Sequence, residues 1–178
     1  SYFLTRGIRA ASLSRGYRGS LQGAHRVDPS RHAASDVGDE PLMLSSLGES
    51  WVSKDRPEGA VAMKAAGVEL IVMDDGHQNP TLKKTLSIVV MDASNPVGNG
   101  HVFPKGPLRE SALTGLARAD AVVLMGDGPL PSILEGYGKP ILRAHLVPLA
   151  PLSPGRYVAF AGIGRPARFF DALQKQSG

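Results

Sequence analysis

The chain has 178 residues, 42% hydrophobic and 20% charged, which is enough for one ordinary domain with its own core. It has no cysteine, which excludes a disulfide framework, a thiolate metal site and a thiol nucleophile. Its formal net charge of +4, concentrated near the start at Arg6, Arg9, Arg15, Arg18, Arg26 and Arg31, suits a phosphate-bearing ligand, an anionic membrane surface or nucleic acid.

No apolar run approaches the ~18 residues of a membrane span. The first residues lack the charged-then-apolar layout of a signal peptide. A soluble chain is expected, with any membrane contact peripheral. Aromatic residues are few, at 6%, and no helix-turn-helix or RNA-recognition pattern occurs, so nucleic acid is not an expected partner. Nothing in the sequence bears on oligomeric state.

In chain order, the first residues read as the end of a helix that feeds a strand through Gly7. Strand-length apolar runs bounded by turn residues follow at 8–14, 68–74, 86–92, 119–125, 139–146 and 156–162. Helix patterns lie between several of them, at 39–48, 57–67, 108–119 and 165–178. The second of these starts on proline and stops on glycine, the usual asymmetry of helix ends. Alternating strands and helices predict βαβ units and a mostly parallel sheet. The runs at 70–73 and 88–91 are almost wholly apolar, as central strands covered on both faces should be. Residues 128–138 and 147–155 read either as linkers or as loops within one sheet.

Open parallel sheets bind ligands at the carboxyl ends of their strands. Asp74 and Asp75 fall there, directly after "LIVM". Two adjacent carboxylates suit a bound cation such as Mg²⁺, and they equally suit a turn that begins with Gly76. Asp39 and Glu40 open a helix in "DVGDEPLML", where acids complement the helix dipole. The same pair could accept a hydroxyl proton and touch a metal. The loop "NPVGNGHVFPKGPLRES" (95–111) holds three glycines and three prolines and leads into a helix whose first turn should carry Arg109. It reads as a ligand wall, with Arg109 able to meet a phosphate bidentately. "SLSRGYRGS" puts Arg15 and Arg18 among turn glycines after a strand, and Arg56 stands before a proline-led helix. For each of these, phosphate recognition and an ordinary surface role are both open. "AFAGIGRPARFF" has only part of a dinucleotide fingerprint, since Ala167 takes the final glycine's place. The five histidines show no zinc-ligand spacing.

Taken in order, "SLSRGYRG", "VGDEPLML", "DR" at 55–56, "DDGHQNP", "GNGHVFPKGPLRES" and "AFAGIGRPARFF" resemble the tetraacyldisaccharide 4′-kinase family over nearly the whole chain. The resemblance implies an α/β three-layer, P-loop NTPase-like fold with mostly parallel strands. It implies transfer of the ATP γ-phosphate to the 4′-hydroxyl of tetraacyldisaccharide 1-phosphate in lipid A biosynthesis, with Mg²⁺, at the cytoplasmic face of a Gram-negative inner membrane. The partners implied are the lipid A disaccharide precursor and an anionic inner-membrane surface, where each basic residue near the lipid contributes ~1 kcal/mol.

Carried over residue by residue, the resemblance makes Asp39 the base and Glu40, Asp74 and Asp75 metal ligands. Arg15, Arg56, Gln78, Asn99 and Arg109 become substrate or phosphate contacts. The sequence departs from the family at three points. No G-x-x-x-x-G-K-[ST] occurs, so the resemblance places the phosphate-binding loop ahead of residue 1 and the isolated chain is expected to be inactive. A histidine that supports the base is expected beyond Gly178. His77 stands where the family's usual aromatic follows "DDG". Residues 1–127 then read as a partial kinase core and 128–178 as a continuation toward a second lobe. The alternative reading is a non-catalytic lipid- or metal-binding relative.

Overall fold

The computed structural model describes residues 2–147, 153, 155–162 and 166–177. A 3₁₀ turn over Leu4–Arg6 ends on Gly7 in the left-handed conformation and leads into strand β1 (Ala10–Ser14). Then come β2 (His25–Arg26), α1 (Ala34–Val37), α2 (Asp39–Ser45), β3 (Glu49–Val52), α3 (Arg56–Ala65) and β4 (Leu70–Met73). The remainder runs β5 (Ile88–Asp92), α4 (Ala112–Arg118), β6 (Ala121–Met125), β7 (Ile141–Ala144) and α5 (Pro166–Ser177).

The strands form two sheets. The first has the order β2-β3-β1-β4, parallel except for β2, and the second has the all-parallel order β5-β6-β7. Side chains alternate across β1. Ala11 and Leu13 pack with Trp51, Met63 and Val68 under α3, while Val52 on the opposite face packs with Val37 beside α2. Helix α3 starts cleanly because Asp55 accepts the Glu58 N–H at its N-cap and proline occupies its first turn. In the second sheet β6 is central, with Val122 and Leu124 fully buried against Met91, Leu116 and Leu134.

Several expectations change. The runs at 70–73 and 88–91 form edge strands rather than central ones, and Val72, Ile88 and Val90 are exposed. Their apolar character records a need for burial that no element among the described residues meets. Residues 156–162 form no strand among those described, and Tyr157, Val158 and Phe160 are exposed because no strand pairs with them. The helix expected from 108 begins at Ala112, since 108–111 still belongs to the long loop, so Arg109 lies ahead of the helix. The 128–138 stretch is a loop between β6 and β7 with one 3₁₀ turn, Ser132–Leu134. Most of 147–155, and the "IGR" of the partial glycine fingerprint, lie outside the described residues. Strands β2 and β3 were not legible in the sequence, β3 because "ESWV" has only two apolar residues and no strand-length apolar run.

Candidate active site

The carboxyl ends of β1 and β4 carry the acidic cluster. Helix α2 begins immediately after Gly38, whose φ of 92° lies in the left-handed region, and a Cβ there would sit 2.7 Å from the Tyr17 carbonyl. Only glycine lets the chain turn this tightly past the Arg15–Tyr17 loop and start the helix on an acid. Asp39 is therefore exposed at the first position of α2, with no ion pair or hydrogen bond among the described residues.

Glu40 lies against the β4 acids. Its carboxyl is pushed above the usual carboxylate range by partial burial first, then by a hydrogen bond with Asp74 and by the charges of Asp74 and Asp75. Carboxylates gathered this closely repel one another, and a cation between them would relieve that repulsion. Mg²⁺ binds through one or two carboxylates plus substrate phosphates, so the donor chemistry of Glu40 and Asp74 fits that ion. Among the described residues no group of three or more His, Asp or Glu side chains is arranged to hold a metal. The third acid, Asp75, turns away. Its φ is 49°, a left-handed conformation that aspartate tolerates, and its carboxylate accepts from Arg109 Nη1 at 2.6 Å.

Arg56 is buried at 5% exposure. It donates from Nη1 to the Leu13 carbonyl and from Nη2 to the Asp74 carbonyl at 2.9 Å, which ties the ends of β1 and β4 together. Burial depresses its pKa most, the charges of Asp74 and Asp75 oppose that, and nearby Arg15 adds to the depression. Arg15 itself is exposed at the end of β1. Beside this bracket the hydroxyls of Ser12, Ser14 and Ser50 are buried without a hydrogen-bond partner among the described residues.

The loop after β4 is latched to the second sheet. His77 Nδ1 lies 2.6 Å from Ser87 Oγ, and its Nε2 lies 2.9 Å from the Gly115 carbonyl of α4. The pairing is complete when Nε2–H donates to the carbonyl and Nδ1 accepts from the hydroxyl. Gln78 hydrogen-bonds Glu110, whose carboxyl is held low chiefly by Arg118, 2.6 Å away. His77, Gln78 and the long loop wall a cleft of about 180 Å³ between β5 and α4. Asn99 braces that loop by donating to the Lys105 carbonyl at 2.9 Å and accepting from the His101 N–H at 3.1 Å. Gly106 lies so close to this bracket that a Cβ would collide with the Asn99 side chain.

The structure thus gathers Glu40, Asp74, Asp75 and Arg56, with Asp39 and Arg15 on the adjoining turns. Gln78 and Arg109 sit on the latched side, and Asn99 serves its own loop. The bracing by Arg56 and the latch at His77 were not legible in sequence. A lone "DR" does not announce a buried arginine, and the partners of His77 are 10 and 38 residues away.

A mostly parallel α/β fold with acids at its strand ends, in the P-loop NTPase manner, is the class that this arrangement defines. The model of the family "Tetraacyldisaccharide-1-P 4'-kinase" matches residues 1–178, and the chain belongs to that family. It is 60% identical to a tetraacyldisaccharide 4'-kinase of Hyphomonas neptunium over 172 residues, covering 97% of this chain and 52% of that protein. It is 53% identical to the Maricaulis maris protein of the same name, over 96% and 52% of the two chains. The chain spans about half the length of the curated relatives it matches. Among solved structures it is similar to LpxK of Aquifex aeolicus in complex with ATP, with a TM-score of 0.64 and 28% identity over 79% of this chain and 45% of that one.

Proposed function

We propose that these residues form part of a kinase that transfers the ATP γ-phosphate to the 4′-hydroxyl of tetraacyldisaccharide 1-phosphate, a step of lipid A biosynthesis. The observation that carries this reading is the unpaired carboxylate of Asp39, one residue from the Glu40–Asp74 pair. Asp39 takes the proton of the acceptor hydroxyl as its oxygen bonds to the γ-phosphorus, and the bond to the β-phosphate oxygen breaks to release ADP. Such a base contributes about 10²–10⁴-fold. Glu40 and Asp74 would hold Mg²⁺, whose charge would neutralise the phosphates, and Asp75 would join them only by releasing Arg109.

Arg56 fixes the spacing between the two strand ends, and positioning to this accuracy is most of what phosphoryl transfer requires of a protein. Arg15, exposed beside the acids, is available to a phosphate, and Gln78 and Arg109 would reach one from the latched side by exchanging their bonds to Glu110 and Asp75. Work at the cytoplasmic face of a Gram-negative inner membrane, as a peripheral protein, belongs to the same proposal. So does the partition into a core over 1–127 and a second lobe that begins in 128–178. No helix among the described residues is long and apolar enough to cross a membrane. The 178 residues carry no phosphate-binding loop sequence, so alone they should transfer no phosphate.

The test is transfer of labelled γ-phosphate to the acceptor by the full natural chain that contains these residues. Asp39→Asn should lower kcat at least a hundredfold with the fold intact. Unchanged turnover in that variant would remove Asp39 from the mechanism. Absence of transfer by the unsubstituted chain would favour a binding protein instead.

A further inference from the structure

A second cleft, of about 580 Å³, lies at the far end of α2 from Asp39, between β2, the 28–32 turn and the start of β3. Arg26, Arg31 and His32 line it, together with Asp28, Ser45 and Glu49. By residue count its charges nearly balance, but their partners divide them differently. Glu49 accepts from Arg9 Nε at 2.9 Å, Arg9 Nη2 at 3.0 Å and Trp51 Nε1 at 2.9 Å. Burial works against its charge, yet these donors and Arg26 together hold its carboxyl below the usual range. Asp28 is likewise engaged, accepting from the Ser30 N–H at 2.9 Å and the Ser30 hydroxyl at 2.6 Å.

The cations are not engaged in the same way. Arg26 Nε stands 3.7 Å from Glu49 and Arg31 Nε stands 3.6 Å from Asp28, both too far for a hydrogen bond. His32 Nδ1 accepts the Asp28 N–H at 3.1 Å, which leaves Nε2 as the ring's donor. The acids of this cleft are spent on neighbours, while two guanidinium forks and one imidazole N–H are not. Its complement is therefore a compact anion with several acceptor oxygens, which is what a phosphate monoester offers.

We propose that this cleft holds the phosphate already present on the acceptor, an inference that rests on the kinase reading above. The substrate in the family's name carries its phosphate on carbon 1 and gains the second at the 4′ position, at opposite ends of a two-ring sugar. Helix α2 separates the two sites. Its seven residues span about 10 Å at 1.5 Å each. Asp39 stands at one end and Ser45, on the cleft wall, at the other. One helix thus sets the distance between the hydroxyl to be phosphorylated and the phosphate that marks the correct acceptor.

The experiment measures binding of the full natural chain to neutral phosphatidylcholine vesicles. These carry the acceptor, the same disaccharide with its phosphate removed, or phosphatidylglycerol at equal charge. The unsubstituted chain should bind the phosphorylated acceptor at least tenfold more tightly than the dephosphorylated one. The double variant R26Q/R31Q should bind both with the weaker affinity, and Arg31→Gln alone should fall between. Discrimination that survives in the double variant, or that is missing in the unsubstituted chain, overturns the proposal. So does equal binding to phosphatidylglycerol, which would make the patch a headgroup contact. Because the readout is binding, a chain that discriminates yet transfers no phosphate would sink the kinase reading and leave this site standing.

Discussion

The two sheets carry different shares of the candidate site. The first is held from within: Arg56 bridges the ends of β1 and β4, α3 covers one face, and the acids emerge from strands fixed in register. The second contributes no acid to the cluster. It supplies anchorage through His77, Gln78 and Arg109, which fasten the loop after β4 to β5 and α4. Placing the acids and steadying them are therefore separate tasks, assigned to separate parts of the chain. Buried bonds perform the first and mainly exposed ones the second, and the costs of breaking them should differ accordingly.

The largest loss of stability should come from the first sheet. Arg56→Ala removes two charge-assisted bonds, and although the Leu13 carbonyl keeps the Asp74 N–H, the change should lower unfolding free energy by about 2 kcal/mol in urea titration. An effect below 1 kcal/mol would show that the bridge is not buried as described. On the latched side, His77→Phe restores an aromatic but removes both bonds, and it should cost about 1–2 kcal/mol. Hydrogen exchange should then quicken over 74–79 while β1 stays protected. Uniform quickening across both sheets would break the proposed division.

Titration sharpens the same contrast. Glu110, on the latched side, has a depressed pKa, so its contribution is full above about 4.5 and fades as pH falls through the lower folded value. Glu40, in the acid cluster, is raised, so its contribution is full below that range and fades as pH rises through the higher folded value. Urea midpoints against pH for Glu110→Gln and Glu40→Gln should therefore lose slopes of opposite sign. Two slopes of the same sign would contradict the assignment. The smallest effect belongs to Arg109→Ala. Its pair with Asp75 is 63% and 57% exposed, and thermal melting should register less than 1 kcal/mol.

The fold class was legible because apolar runs and turn residues alternate so regularly, and β1, β4, β5, β6 and β7 all lie within the expected runs. The position of Asp39 at a helix start was equally plain from "VGDEP". What stayed hidden depended on long-range pairing. The four residues of β3 are a strand only because β1 and β2 flank them. Residues 156–162 have strand chemistry but no neighbouring strand among the described residues. The sequence likewise marks Arg56 and Arg109 as equals, whereas burial makes one a structural brace and exposure leaves the other on the surface.

The uncovered edges of β4 and β5 have a consequence beyond the chemistry. Among the described residues each has an outer edge with no paired strand, alongside exposed valine or isoleucine, and neither β4 nor β5 contains a lysine or proline to discourage pairing. Natural sheets rarely leave such edges open to water. In concentrated solution these residues by themselves would find partners in one another, and their solubility would be governed by two short strands rather than by the charged surface around them.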